Sequence, residues 1–408
     1  MRNKSIDLDK IAASLDISPS MYHYAVDRYN GISKYLESKG IKAEFYPQGS
    51  FRTGTVTRPM KNGVETDFDI DVICLLNYDK NIISAEEVKK IVGDALKEND
   101  TYRKKLQPEE DRCWTLDYAE VSGDVGLKLD VVPAVPEEPT KILKLIDLSI
   151  NTEYAKKTIL ITDKHENSYD WLSSNPSGYG SWFDDINKKY LEIDLRQKKE
   201  KILNENKNLF DNNAKIEDVP DYYVRSSLQR VIQLLKRHRD IFFYRNGSKL
   251  KPSSVIITSL SAKIASETSP KKVDELLKYV INGLEDYCSL LKNEKPKERY
   301  DGEIPSYIKK ENEKWWIPNP VDPDDNYADY WTDEHAKAFF MWISAIKRDL
   351  INPTPLNETQ YINGLQTSFG KESIEKSINL TNSVSTAYTN PIEIKRPTKP
   401  WGMNIEFR

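Results

Sequence analysis

Asp67-Phe68-Asp69-Ile70-Asp71-Val72-Ile73-Cys74-Leu75-Leu76 alternates acidic with apolar residues and then turns wholly apolar. In an extended strand successive side chains point to opposite faces, so Asp67, Asp69 and Asp71 share one face while Phe68, Ile70 and Val72 share the other. A row of carboxylates a few ångströms apart is unfavourable, each raising its neighbours' pKa, unless hard cations neutralise it. The residues therefore predict a strand with one core face and one acidic face that takes divalent metal, magnesium above all. A solvated edge strand explains the pattern poorly, because Asp is disfavoured in strands and an edge does not lead into a wholly apolar run. A calcium loop fails by position: counting from Asp67, the sixth residue is Val72 instead of Gly and the twelfth is Tyr78 instead of Glu.

Further along, Leu127-Lys128-Leu129-Asp130-Val131-Val132-Pro133-Ala134 predicts a second strand with Leu127, Leu129 and Val131 inward and Lys128 and Asp130 on the opposite face. Alone, Asp130 reads as a turn residue near a strand end. Beside the first strand it completes a set of three carboxylates with Asp69 and Asp71. Two divalent ions on such a set clamp the attacking hydroxyl and the leaving pyrophosphate of an in-line displacement, and phosphoryl chemistry asks mainly for that positioning and neutralisation. Upstream, Phe45-Tyr46-Pro47-Gln48-Gly49-Ser50-Phe51-Arg52-Thr53-Gly54-Thr55 places a glycine where backbone can approach a phosphate closely, followed by a hydroxyl able to hold it. Gly-Ser with Asp-Ile-Asp about twenty residues later is the arrangement a nucleotidyl-transfer site needs.

Tyr46-Pro47-Gln48-Gly49-Ser50-Phe51-Arg52-Thr53-Gly54-Thr55-Val56 with Asp67-Phe68-Asp69-Ile70-Asp71-Val72 resembles the cGAS/DncV-like nucleotidyltransferases (CD-NTases) of bacterial antiphage signalling systems (CBASS), within the polymerase-β-like superfamily. The likeness continues in Ser174-Asn175-Pro176-Ser177-Gly178-Tyr179-Gly180-Ser181-Trp182-Phe183, in Gln233-Leu234-Leu235-Lys236-Arg237-His238-Arg239-Asp240, and in Asn319-Pro320-Val321 through Asn326-Tyr327-Ala328-Asp329-Tyr330-Trp331, so it spans most of the chain. It implies an α+β fold: a polymerase-β-like core of small mixed sheet and helices plus an α-helical C-terminal lobe, two-lobed with the active site between. It also implies a donor triphosphate lying against Gln48, Gly49 and Ser50, and two magnesium ions, or manganese, on Asp69, Asp71 and Asp130. Asp130 then receives the proton of the attacking ribose hydroxyl. A lysine on the helix after the core and a serine shortly beyond it contact the triphosphate in similar enzymes, which points to Lys236 and to Ser253 or Ser254.

Asp67 is a departure that leaves open which two of the three strand carboxylates are ligands; Asp69 and Asp71 are chosen because the apolar run follows them directly. The activity implied is synthesis of a cyclic di- or trinucleotide second messenger from ATP or other ribonucleoside triphosphates, with pyrophosphate released and a product-sensing effector protein encoded nearby as partner. The carboxylates by themselves equally suit a template-independent nucleotidyltransferase with a linear or adducted product. The fold by itself suits a catalytically silent nucleotide-sensing protein, against which the intact Asp69, Asp71 and Asp130 speak.

With 408 residues the chain is long enough for two domains, expected as a catalytic core over 1–200 with a long N-terminal helix and a helical lobe over 201–408. Lys+Arg 60 against Asp+Glu 64 leaves a net charge of −4, which argues against a constitutive nucleic-acid partner while permitting a local basic groove. Cys74, Cys113 and Cys288 are isolated, so neither a disulfide framework nor a zinc ribbon is expected; His23, His165, His238 and His335 are scattered, and His238 is expected to be structural. Without an apolar leader or a long apolar run, the expectation is a cytoplasmic protein with no membrane partner.

Periodicity and breakers predict a helix from Ser18-Pro19 to Gly40, a helix over 84–97, and a strand pair over 113–135 turning near Ser122-Gly123-Asp124. A loop-rich stretch over 163–179 follows. Helices are then expected near 184–204, 224–243, 255–267, 271–291 and 333–350. In the 224–243 helix, Leu228, Val231, Ile232, Leu235 and Phe242 make the apolar stripe, while Arg225, Arg230, Lys236, Arg237 and Arg239 read as a solvated basic face unless phosphate binds there. Tyr179, Trp182, Tyr327, Tyr330 and Trp331 are candidates for stacking on bases. The tail over 394–408 reads either as an ordered strand or as a docking segment.

Overall fold

Six strands form one mixed sheet in the computed structural model, which describes residues 7–17, 19–58, 60–61, 64–122, 125–193, 195–205, 215–216, 224–296, 304–354 and 357–382. They are Ala43–Pro47 (β1), Phe68–Leu76 (β2), Trp114–Ser122 (β3), Val125–Pro136 (β4), Ile159–Lys164 (β5) and Tyr169–Ser174 (β6). β2 lies between antiparallel β1 and parallel β4. β4 then pairs antiparallel with β3 along its first part and with β5 along its last, and β6 follows β5. The turn expected at Gly123-Asp124, Ser18 and the 394–408 tail lie outside the described residues.

Phe68, Ile70, Val72, Cys74 and Leu76 of β2 and Leu127, Leu129 and Val131 of β4 are all buried on one face, each large side chain contributing about 1.5–3 kcal/mol by leaving water. The other face changes character along its length. Asp69 and Asp71 give way to Ile73 and Leu75, and Lys128 and Asp130 to Val132 and Ala134; the apolar residues pack with Tyr46, Ile159, Ile161 and Leu172 in a second cluster. The run that ends the acidic alternation is thus a strand buried on both sides.

The helices Pro19–Ser38 and Ala85–Glu98 form as expected, the second opened by a Ser84/Glu87 capping box. Ala85–Glu98 lies tight on β3 because Gly93 leaves room for the Trp114 ring; a Cβ there would come within 2.1 Å of it. Trp114 is buried and its indole N–H donates to the Lys89 carbonyl at 2.9 Å, so it cannot swing away. Gly93→Ala is therefore expected to destabilise the fold by about 1–3 kcal/mol from overpacking, outweighing the roughly 1 kcal/mol that helix propensity gains. A lowered denaturant midpoint at unchanged slope checks this.

The loop expected over 163–179 is corrected: the end of β5, all of β6 and the start of the helix Pro176–Leu191 occupy it. β6 is partly exposed along its whole length, so it carries no apolar alternation for sequence reading to detect.

The chain groups into two units, Ile17–Phe183 with Pro318–Asp325, and Met1–Asp16 with Asp184–Ile317 and Asn326–Arg408. These differ from a single cut at residue 200. Pro318–Asp325 joins the sheet unit through ion pairs of Lys141 with Asp322 and of Lys144 with Asp324, both 2.6 Å. At the start of the chain, Leu8–Ser14 packs on Ser227–Arg245 and Lys371–Asn382, and Asp16 accepts from Arg230 and Gln233 at 2.7 Å each.

The second unit is mainly helical, and Ser227–Arg245 is wrapped by its neighbours. The solvated basic face is corrected accordingly: Lys236, Arg237 and Arg239 are all buried, because helices cover that side as well as the apolar stripe. Arg239 donates to the Pro252 carbonyl, the Ser254 hydroxyl and Asp240. His238 accepts from the Trp342 indole at Nδ1 and meets Asp349 at Nε2, a structural role. Trp331 is buried against Phe339, which removes it from the base-stacking candidates, whereas Tyr330 is exposed.

Candidate active site

Where β1 ends, the Gln48 N–H donates to the Asp71 carbonyl at 2.9 Å and fixes the following Gly-Ser turn beside β2. Gly49 has φ +63° and a Cβ on it would lie 3.1 Å from Asp71 Oδ2, so both backbone conformation and space call for glycine. Gly49–Arg52 forms a single helical turn. Buried Thr53 pins it, its hydroxyl donating to the Gly49 carbonyl at 3.2 Å, while the Thr55 N–H donates to the Ser50 carbonyl at 2.9 Å. Among the described residues neither the Gln48 side-chain amide nor the Ser50 hydroxyl has a hydrogen-bond partner.

The segment 174–183 supports this turn from behind. Asn175 Oδ1 accepts from the Gly178 N–H at 2.9 Å and its Nδ2 donates to the Tyr154 carbonyl at 2.9 Å. Gly180 leaves space for Arg52: a Cβ there would lie 2.8 Å from Arg52 Nε.

On the sheet, Asp71 stands directly opposite Asp130 in the β2–β4 register, and Asp69 opposite Lys128. Thr115 of β3 faces Asp130 from the other side, and its hydroxyl donates to Asp130 Oδ1 at 2.5 Å. Burial, then the charges of Asp130 and Asp69, push the Asp71 carboxyl up to about 6. Asp69 is raised by burial and by Asp130, against the pull of Lys128. Asp130 is raised by burial, with the Thr115 hydroxyl opposing. Asp67 serves the backbone instead, its Oδ1 accepting the Gly126 N–H at 2.8 Å and tying down the start of β4.

Among the described residues no three His, Cys, Asp or Glu side chains close into a complete metal-ligand set. The donor chemistry nevertheless fits hard cations. Three carboxylates share one sheet face, Asp130 helps hold up the pKa of both Asp69 and Asp71, and no other described residue donates a hydrogen bond to the Asp69 or Asp71 carboxylate.

Gln48, Gly49, Ser50, Asp69, Asp71 and Asp130 are thus neighbours within the sheet unit, while Lys236, Ser253 and Ser254 belong to the helical unit. There, burial, then the Arg239 charge, hold the Lys236 ammonium down to about 7. Ser254 accepts from Arg239 at 3.0 Å, whereas Ser253 caps the Ser254–Ser266 helix without engaging its hydroxyl. Sequence reading missed Thr115 altogether and gave Lys128 a face but no role. Thr115 becomes visible only through the β3–β4 register, which no local pattern encodes.

Residues 43–128 match the nucleotidyltransferase domain of the family described as cyclic GMP-AMP synthase DncV-like. A c-di-GMP synthase of Roseivirga ehrenbergii is 30% identical over 354 residues, 84% of this chain and 77% of the relative. The cyclic dinucleotide synthase CdnG of Bradyrhizobium diazoefficiens is 22% identical over 334 residues, 80% and 70% of the two chains. The structure of the Bradyrhizobium diazoefficiens CD-NTase CdnG in complex with GTP has the same fold, with TM-score 0.63 at 19% identity over 91% of this chain and 97% of that one. So does that of E. coli MS115-1 CdnC with ATP, with TM-score 0.55 at 14% identity over 90% and 98%.

Proposed function

Because the chain belongs to the CD-NTases, the cGAS/DncV-like nucleotidyltransferases, we propose that it links ribonucleoside triphosphates into a cyclic di- or trinucleotide, a second messenger of antiphage defence sensed by an effector protein. The observation that carries this reading is Asp71 facing Asp130 in register, with the Gly49-Ser50 turn against Asp71. Gln48, Gly49 and Ser50 hold the donor triphosphate. Asp69, Asp71 and Asp130 hold two magnesium or manganese ions, which when bound supply charge neutralisation at the α-phosphate and the departing pyrophosphate. Asp130, oriented by Thr115, takes the proton of the attacking ribose hydroxyl. Within the helical unit, Lys236 and Ser253 are the candidates for phosphate contact, Ser253 favoured over Ser254 by its unengaged hydroxyl.

The test is incubation with all four labelled ribonucleoside triphosphates and magnesium or manganese, then phosphatase and mass spectrometry, with GTP tried first because a relative is a c-di-GMP synthase. A phosphatase-resistant cyclic mass supports the reading. Label on a linear product or on an added acceptor overturns cyclisation.

The raised Asp71 pKa gives a second check. Its folded value of about 6 exceeds the unfolded value of 3.8, so the stability it contributes is fully present below 3.8 and is lost as pH rises through 6. Without divalent ions the protein is expected to lose stability from this group across that window. Magnesium offsets the same penalty of a buried charge among carboxylates, so the rise in melting temperature it causes is expected to be larger at pH 7 than at pH 5. A shift independent of pH contradicts the assignment.

A further inference from the structure

Among the described residues the cation on the carboxylate face is Lys128, whose place in the register sets what it can reach. Lys128 is two residues before Asp130 on β4, opposite Asp69 on β2 and opposite Asp117 on β3. It is half-buried, and among the described residues its ammonium makes neither an ion pair nor a hydrogen bond. Its charge is nevertheless felt by both Asp69 and Asp130. A lysine needed only to balance those carboxylates would close on one of them.

Its place across the sheet decides what it faces. The Gly-Ser turn adjoins Asp71, through the Gln48 N–H and the contact of Gly49 with Asp71 Oδ2. Asp130 and Lys128 stand on β4, across β2 from that turn, Lys128 two residues or about 6.6 Å from Asp130 along the strand. In-line displacement brings the attacking hydroxyl in opposite the leaving pyrophosphate. With the donor triphosphate at the Gly-Ser turn, the acceptor hydroxyl lies on the β4 side, at Asp130, with Lys128 beside it on the same strand face.

We propose that Lys128 binds a phosphate group of the acceptor nucleotide. The inference rests on the nucleotidyl-transfer reading of this site. An ammonium on a flexible stem suits a phosphate whose position shifts between a nucleoside triphosphate and a linear intermediate. Its contact is purely ionic, and no bond to Lys128 forms.

The test is calorimetric titration of the magnesium-loaded full chain with each α,β-methylene nucleoside triphosphate, for wild type, Lys128→Met and Lys128→Arg. The wild type is expected to take two nucleotides. Lys128→Met keeps the donor site, which also shows that it is folded, and weakens the other about ten- to a hundredfold, the range for one charge-assisted contact. Lys128→Arg restores most of the loss. Two unchanged sites in Lys128→Met overturn the proposal and leave the nucleotidyl-transfer reading standing. Equal change at both sites with a lowered magnesium requirement also overturns it, making Lys128 a charge balancer. A wild type that binds no nucleotide overturns the reading of the site and this inference together.

Discussion

Asp71→Asn is expected to lower nucleotidyl transfer by at least about a thousandfold and, at the same time, to stabilise the metal-free protein. The two effects share one cause. Asp71 is held beside Asp69 and Asp130 with no hydrogen bond to its carboxylate from any other described residue, and that carboxyl is pushed up to about 6. Above that pH the folded chain carries a charge disfavoured by burial and then by its carboxylate neighbours, and unfolding relieves both. The amide is isosteric and removes the charge, while the Gln48 N–H still bonds the residue 71 carbonyl at 2.9 Å, so the Gly-Ser turn stays in place. Product formation and thermal melting without divalent ions, both at pH 7.5, read the two effects. A variant that is inactive but less stable than wild type would point to a folding defect and against a functional carboxylate row.

Gly49→Ala is expected to weaken donor nucleotide binding and lower activity about a hundredfold, on the scale of a misplaced reacting group. A side chain at φ +63° costs about 1–2 kcal/mol, and the new methyl would lie 3.1 Å from Asp71 Oδ2, so the turn and the carboxylate must move together. Gly40→Ala separates strain from site. Gly40 has φ +80° with nothing within 4 Å of its would-be Cβ, so it is expected to lose similar stability and keep full activity. Equal activity losses in the two variants would remove Gly49 from the site.

The acidic alternation of β2 was legible because one face had to be core, and period-2 patterning reports that directly. Gly49 and Ser50 were legible through spacing. Three features were not. Thr115 meets Asp130 through antiparallel pairing across β3 and β4, a long-range register that each strand's own sequence does not encode. β6 escaped because partial exposure along its length erases alternation. The arginines and lysine of Ser227–Arg245 read as solvated because charge implies water, yet Arg239 spends its donors on Pro252, Ser254 and Asp240 inside the helical unit. Burial of paired charge is decided by what surrounds a helix, which its own periodicity does not carry. Asp67 shows the converse: the pattern placed it with Asp69 and Asp71, and the Gly126 amide has claimed it for the backbone.

The helix Leu8–Ser14 leaves the ribosome well before the segments that cover it. Asp16 waits for Gln233, 217 residues later in the chain, and the buried side of that helix, Ile11 and Ala12 with Leu15 just beyond its end, waits for Ser227–Arg245 and Lys371–Asn382. During translation this short apolar segment stays exposed while the sheet strands pair behind it, a period of many seconds at roughly 5–20 residues per second. Removing Leu8–Ser14 or Lys371–Asn382 therefore opens the same core, and neither unit can be cut out of the chain as one continuous piece.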